Sequence, residues 1–475
     1  MVDPRVESRI SAVAPPNATS GSSSRLGRLR RELGQVPTLS VSIGVMAPTL
    51  AMSITGVAAA ALLGRAASLA YVVAALGVAL VAYGFTRLSA EFSSAGSVYA
   101  FVGGALGPRA GFVAGWALLG TYLIFPVVSI SAVAIFGRAF LRSTGIADNA
   151  PWLPLALVGW ALVWLIASRA ILPAARTLLL FEIVSVALIL ALMAIIVGKL
   201  VFGGAPAGRG VTFEVFAPPP GTTLSTIALA SVFGFLSFAG FESAGSLGEE
   251  ATDPRRAIPR SMIAAIAFGG VFYVSCVAVQ TLGFGTDPAG VRAFAASTAP
   301  IGELAQRYVG RGMADVLNLA AIISAIGAGL GCASVAARML FTLGRDRLLD
   351  HRLAVVSSTG APAGGLAFVM TLDLAILVVF GIAQAKPIDV FFYFATIGTL
   401  SLLTMYVMTN VAATRFLAAR GSRLELVLPL AGIAVALYVL YHNVHPVPRS
   451  PYDAFPYVVA GWLAVGVAFA AWRRG

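Results

Sequence analysis

Apolar runs of about twenty residues, separated by short polar joints, fill the chain from Val36 to its end. A helix needs about 20 mainly apolar residues to cross a bilayer, and the chain divides into about twelve such runs. Before Val36 the sequence is rich in Ser, Pro and Arg and has no apolar run. The pattern predicts an all-α polytopic membrane protein, with a disordered cytosolic tail (1–36) and a single transmembrane domain (37–475).

Two of the apolar runs are interrupted by residues that break helices. The first, about residues 38–63, contains Gly44, Pro48 and Gly56. The sixth is interrupted at Phe-Ala-Gly-Phe, residues 238–241. Broken helices in corresponding positions of two halves are typical of transporters built from inverted repeats, which bind their ligand between the breaks. The expected divisions are a first repeat over about 37–202, a second over about 221–420, and two further helices over about 421–475.

Composition and charge support this class. Hydrophobic residues make up 59% of the chain and charged residues 11%, whereas soluble domains carry about 25% charged residues. The net charge of +12 needs no nucleic acid partner, because Lys and Arg collect in cytoplasmic loops. Of the 32 Lys and Arg residues, 22 fall on the side of both termini and 10 on the other. We therefore expect an integral, multi-pass protein of the plasma (inner) membrane with both termini in the cytoplasm.

Residues that could carry out catalysis or bind a metal are scarce. Cys276 and Cys332 lie inside apolar runs, and His351, His442 and His445 lie at or near helix ends. No metal-ligand cluster and no nucleotide or nucleophile motif occurs in a supporting context. The sequence predicts neither an enzyme nor a bound metal or cofactor.

The sixth run and the loop after it resemble a known family. The chain reads Phe238-x-Gly240-x-Glu242, followed by Glu249-Glu250-x-x-x-Pro254-x-x-x-Ile258-Pro259. This pattern is similar to that of the amino acid–polyamine–organocation permeases. Weaker matches to the same family are Ser-Ala-Gly-Ser-x-Tyr-Ala at 94–100, and Arg338, Arg345 and Asp346 after the eighth run.

The resemblance implies a leucine-transporter-like fold of two five-helix inverted repeats, with the first and sixth helices broken. It also implies a secondary active transporter of amino acids that works by alternating access, as a proton-coupled carrier or as an exchanger. A permease for polyamines or organic cations is the alternative. A channel or a non-transporting sensor is disfavoured, because the runs show no continuous polar lining or filter loop.

The two breaks predict the substrate site. A half-helix that begins near Pro48 would offer free N–H groups to a carboxylate, mainly those of Thr49 and Leu50. A half-helix that ends near Phe238 would offer free carbonyls to an ammonium group. The predicted substrate-binding residues are Ala47, Pro48, Thr49, Leu50, Phe238, Ala239, Gly240 and Phe241.

A second group of residues is predicted to act in coupling or gating. Glu242 is the main candidate, because an ionisable group within an apolar span marks a functional site by default and it matches the family's acidic residue. Leu236 stands where some relatives have an aromatic gate, and Ser185 where others have a lysine. Tyr122 is a further candidate. The remaining intramembrane acids, Glu182 and Asp373, are expected to serve interhelical packing, and the coupling ion (proton or sodium) stays open.

The first run departs from the family pattern in a way that bears on the substrate. It has Pro48-Thr49-Leu50 where the family commonly has Gly-small-Gly, and proline lacks an N–H. Losing one of several donors weakens a carboxylate site without removing it. We therefore expect a neutral or small amino acid rather than an amine without a carboxylate.

Overall fold

The computed structural model describes residues 34–92, 97–169, 171–248, 251–357 and 360–472, and the side chains of 171–178 and 207 are left out. The predicted N-terminal tail therefore lies almost wholly outside the described residues. So do Glu249 and Glu250 of the family motif and the first part of the Ser-Ala-Gly-Ser segment. The regular structure within these ranges consists of α-helices joined by turns and short 3-10 segments.

Sixteen α-helices form the described part of the chain. They are α1 (Gln35–Met46), α2 (Pro48–Leu63), α3 (Ala67–Glu91), α4 (Ser97–Leu106), α5 (Pro108–Ser143), α6 (Trp152–Ala167), α7 (Ile171–Val201), α8 (Leu224–Phe238), α9 (Pro254–Phe284), α10 (Pro288–Ala296), α11 (Pro300–Tyr308), α12 (Arg311–Arg345), α13 (Ala363–Ile382), α14 (Pro387–Ala419), α15 (Val427–His442) and α16 (Phe455–Trp472).

Ten helical stretches among the described residues are long and apolar enough to cross a membrane. One of them, Gln35–Glu91, is 57 residues long and contains α1, α2 and α3. A shorter apolar helix, Trp152–Ala167, falls below that length. The all-α polytopic fold is confirmed. The count of about twelve spans and the inverted repeat stay predictions, and twelve spans require the 57-residue stretch to cross twice and α6 to cross as well.

Prolines stand at the starts of α9 and of the two short helices that follow it. The helix α9 begins at Pro254, because proline is well placed in a first helical turn. The connection after α9 contains the short helices α10 and α11. The first is capped by Asp287, whose side chain accepts hydrogen bonds from the amides of Ala289 and Gly290.

The helix α5 lies at the centre of the bundle, where it packs along α12 and α14. Lipid tails are as apolar as the helix surfaces, so helix pairs in membranes depend on close packing of small residues. Gly234 of α8 shows this against α3, because an added Cβ would lie 2.5 Å from the Cβ of Ala74 and 3.0 Å from the carbonyl oxygen of Ala70. Such contacts hold the first half of the second interrupted stretch in a fixed position.

The last helix is attached to the bundle by a pair of tryptophans. The rings of Trp116 in α5 and Trp462 in α16 stack with centroids 4.4 Å apart. Each indole N–H donates to the backbone carbonyl of the other residue, at 2.8 and 2.9 Å. Most other side chains of α16 are exposed or half-buried, as expected of a helix that faces lipid.

Candidate functional site

The first broken span consists of α1 and α2, which meet at Ala47. Ala47 has φ 44° and ψ 63°, a left-handed conformation that costs a non-glycine residue about 1–2 kcal/mol. Its N–H still donates to the carbonyl of Ile43 at 3.0 Å, and its carbonyl accepts from the N–H of Ala51 at 2.9 Å. Pro48 follows as the first residue of α2. The kink is therefore confined to one residue, and proline sets the start of the second half.

The second broken span consists of α8 and the 3-10 segment Phe241–Leu247, with the break at Ala239 and Gly240. Gly240 has φ 110°, a conformation that L side chains rarely adopt. A Cβ at Gly240 would lie 2.7 Å from Val45 Cγ1 and 2.9 Å from the backbone nitrogen of Met46. The two breaks are thus in direct backbone contact, and this contact requires glycine.

A side-chain hydrogen bond also connects the two broken spans. Ser42 of α1 donates its hydroxyl hydrogen to the carbonyl of Phe241 at 2.9 Å. Both residues are buried, so water does not compete for this hydrogen bond. The bond therefore joins α1 to the start of the 3-10 segment.

A cavity of about 50 Å³ lies between the two breaks. Four of the predicted residues line it, namely Ala47, Leu50, Leu236 and Ala239. Its other walls come from α5, α12 and α14, and its polar side chains are Thr55, Ser129, Ser237 and Cys332. None of the lining residues, all of them within the described ranges, carries a charge. A charged end of any ligand here must be met by backbone groups or hydroxyls.

The other predicted binding residues are buried beside the cavity without lining it. The ring of Phe238 contacts that of Tyr273 edge-on, with centroids 5.1 Å apart. Phe241 packs against Phe85 and Tyr406 at 5.5 and 5.6 Å. Pro48, Thr49 and Gly240 are likewise fully or almost fully buried. In this conformation these residues shape the breaks, and their part in binding stays a prediction.

The two amides expected to hold a substrate carboxylate already have partners. The N–H of Thr49 donates to Glu182 Oε1 at 2.7 Å, and the N–H of Leu50 donates to the hydroxyl oxygen of Ser324 at 3.1 Å. With Pro48 lacking an N–H and Ala51 bonded to Ala47, the first turn of α2 has no free amide in this conformation. These two hydrogen bonds could not be predicted from the sequence, because Glu182 and Ser324 are 133 and 274 residues from their partners.

Glu242 is held by groups from three elements. Its Oε1 accepts from the hydroxyl of Tyr122 at 2.9 Å, and its Oε2 accepts from the N–H of Gly240 at 3.1 Å. The hydroxyl of Tyr406 lies 3.4 Å from Oε2. Glu242 is 1% exposed and is absent from the cavity wall. Its carboxyl therefore joins α5 and α14 to the second break, and the predicted role in coupling stays a prediction.

A chain of hydroxyls crosses one side of the cavity and was not anticipated from the sequence. Tyr71 of α3 donates to Thr55 Oγ1 at 2.6 Å, and Thr55 Oγ1 lies 3.0 Å from Ser237 Oγ. The hydroxyl of Thr55 also donates to the carbonyl of Ala51 at 2.7 Å, within its own helix. Single hydroxyls in apolar runs carry no distinctive signal, and only the packing of α2, α3 and α8 brings these three together.

Within the described residues, neither Ser185 nor Asp373 forms a hydrogen bond with a residue of the two breaks. The hydroxyl of Ser185 donates to the carbonyl of Phe181 at 2.6 Å, one turn back in the same helix. Asp373 is fully buried in α13, and its two carboxyl oxygens have no hydrogen-bond partner among the described residues.

Sequence comparisons give results in line with this architecture. The family model described as "Amino acid permease" matches residues 38–440. A branched-chain amino acid permease of Lactococcus lactis subsp. cremoris is 27% identical over 362 residues, which cover 72% of this chain and 73% of the relative. A low-affinity putrescine importer of Escherichia coli K12 is 25% identical over 322 residues, which cover 67% and 68%. A methylthioribose transporter of Bacillus subtilis is 26% identical over 402 residues, which cover 78% and 82%.

Proposed function

Because the chain belongs to the amino acid permease family, we propose that this membrane transporter carries neutral amino acids through the cavity between its two broken spans. Membership of the family and the transport named for its relatives establish a multi-pass membrane transporter. The substrate, the plasma membrane location and the alternating-access cycle are parts of the proposal.

The chemistry of the cavity wall is the observation that carries the proposal. An apolar wall with hydroxyls and no charged side chain suits a substrate whose side chain is small and apolar. An α-helix leaves its last four carbonyls without donors inside the helix, and α8 ends at the cavity, where they can accept hydrogen bonds from an ammonium group. A substrate with an apolar side chain, charged only at its amino and carboxyl groups, therefore fits the cavity.

The size of the cavity agrees with a transport cycle. Ligand pockets usually measure about 300–1,000 Å³, whereas this one measures about 50 Å³. The observed conformation therefore leaves too little room for an amino acid, and the walls must separate before one can bind. Broken spans that touch at Gly240 and move apart around a central site are consistent with alternating access. Breaks at Ala47 and at Ala239–Gly240 also support repeats over about 37–202 and 221–420, with two further helices over 421–475.

The alternative substrate is a polyamine or another organic cation. In its favour, the first turn of α2 has no free amide for a carboxylate, and one relative imports putrescine. Against it, a diamine needs an acceptor for each ammonium group, and the residues of the cavity wall include no acid. The uncharged wall therefore favours the amino acid.

Uptake into proteoliposomes tests the proposal. We expect the purified protein to accumulate one or more labelled neutral amino acids, and to be inhibited by apolar amino acids more strongly than by putrescine. Runs with and without a pH gradient, and with and without sodium, identify the coupling ion. Uptake of amines together with no uptake of any amino acid would contradict the proposal.

Cysteine labelling tests the proposed orientation. From the distribution of Lys and Arg, both termini lie in the cytoplasm. We expect an impermeant reagent to label Thr252→Cys only in inside-out vesicles and Val211→Cys only in intact cells, because both positions are exposed and lie on opposite sides. Labelling of Thr252→Cys in intact cells would contradict this topology.

A further inference from the structure

The carboxyl of Glu182 occupies the place at the start of α2 where a substrate carboxylate is expected. Glu182 extends from α7 and is 5% exposed. Its Oε1 accepts the N–H of Thr49 at 2.7 Å, the short distance typical of a charge-assisted hydrogen bond. Within the described residues it takes part in no ion pair. Its electrostatic partner is therefore the positive end of α2.

Two anions cannot share this helix end. With Pro48 lacking an N–H, the first turn of α2 has two outward amides, those of Thr49 and Leu50, and one of them is bonded to Glu182. A substrate carboxylate that approached the other would meet the negative charge of Glu182 within a few ångströms, in surroundings that screen it poorly. It could bind only if Glu182 moved away or became neutral.

We infer that Glu182 is a specificity-determining residue, whose ionised carboxyl competes with the carboxylate of the substrate for the start of α2. This inference rests on the proposed function, because it assumes an amino acid in the cavity. When Glu182 takes up one proton, its negative charge disappears, and the substrate carboxylate can approach the positive end of α2 without meeting a second anion. The bound complex then carries one more proton than the empty carrier, and Glu182 loses that proton after the substrate leaves.

The groups that surround Glu182 allow it to gain and lose a proton. Thr49 contributes an amide from α2, and Ser324 of α12 bonds to the neighbouring amide. The phenol of Tyr273 in α9 lies close enough to interact electrostatically with Glu182. Among the described residues no Lys, Arg or His forms an ion pair with it, so within this part of the chain no positive side chain holds Glu182 in its ionised form.

The test compares an amino acid with the amine that lacks its carboxylate, at two pH values. Leucine and isoamylamine serve as the pair, and each is measured as a competitor of labelled substrate uptake in proteoliposomes. For the wild-type carrier, we expect the affinity for leucine, relative to that for isoamylamine, to rise roughly tenfold when the pH falls from 8 to 5.5. A tenfold change is of the order expected when one negative charge is removed from a partly buried helix end.

Substitution of Glu182 tests whether this residue causes the pH dependence of the affinity ratio. Glu182→Gln keeps an oxygen that accepts the Thr49 amide hydrogen and carries no charge. We expect it to show at pH 8 the ratio that the wild type shows at pH 5.5, with no further change on acidification. Asp373→Asn is the matched control, because it neutralises a buried acid whose carboxyl forms no hydrogen bond with α2 among the described residues, and it should keep the wild-type pH dependence.

The outcomes separate the inference from the proposed function. A ratio that changes with pH equally in the wild type and in Glu182→Gln would overturn the inference, as would a wild-type ratio that is independent of pH. Failure of both proteins to bind any amino acid at either pH would overturn the proposed function itself. A purely structural cap would give Glu182→Gln the wild-type ratio at both pH values.

Discussion

Gly240→Leu is expected to abolish uptake and to lower the stability of the folded carrier. Position 240 has φ 110°, and even a Cβ there would lie 2.7–2.9 Å from Val45 and Met46 of the first broken span. Overpacking of this kind costs about 1–3 kcal/mol, and the left-handed backbone adds about 1–2 kcal/mol for a non-glycine residue. The leucine side chain would also separate the two breaks, whose residues Ala47 and Ala239 line the cavity.

Two further variants separate local contact from a general effect of losing glycine. Gly240→Ala carries only the Cβ and should be impaired in the same direction, to a smaller degree. Gly198→Ala in α7 places the same atom where nothing lies within 4 Å, and it should behave as the wild type. Uptake by proteoliposomes and the melting temperature of the purified protein are the measurements. Wild-type uptake by Gly240→Leu would show that the contact between the breaks has no role.

The positions of the breaks could be predicted from the sequence, because the residues that cause them are local. Pro48 and Gly240 interrupt apolar runs, and the structure ends α1 at Met46 and α8 at Phe238. The conformation of Ala47 was not predictable, since alanine ordinarily continues a helix. Pro48 disfavours the right-handed helical conformation in the residue before it, but this does not by itself predict the left-handed one. Gly240 is predicted to bind substrate, and its close contact with Val45 and Met46 of α1 could not be predicted from the sequence.

The partners of the polar groups could not be predicted, because they depend on contacts distant in sequence. Glu242 was identified from the family motif, but its bonds to Tyr122 and Tyr406 span 120 and 164 residues. Glu182 was expected to serve packing between helices, and its carboxyl does join α7 to α2, but its partner, the amide of Thr49, was not predictable. Periodicity locates a polar residue on a helix, and the arrangement of all the helices decides what it meets.

Modification of Cys332 is expected to stop uptake almost completely. Cys332 of α12 lines the cavity, whereas Cys276 is buried elsewhere and bonds to Gln280. The cavity measures about 50 Å³, so a thiol-linked group at Cys332 fills the space that the substrate needs. In a Cys276→Ala carrier, which has Cys332 as its single thiol, a small methanethiosulfonate reagent should therefore inactivate uptake. The same reagent should leave a carrier with both Cys276→Ala and Cys332→Ser unaffected.

The central claim is that the substrate binds between the two broken spans. The most direct test of it is to measure the rate at which Cys332 is modified with and without substrate. The Cys276→Ala carrier is treated with the reagent, and the modified fraction is followed by mass spectrometry alongside uptake. If the substrate occupies the cavity, saturating amino acid slows the modification of Cys332, and uptake falls in proportion to the fraction modified. Uptake at the unmodified rate by carriers whose Cys332 is fully modified would contradict the claim.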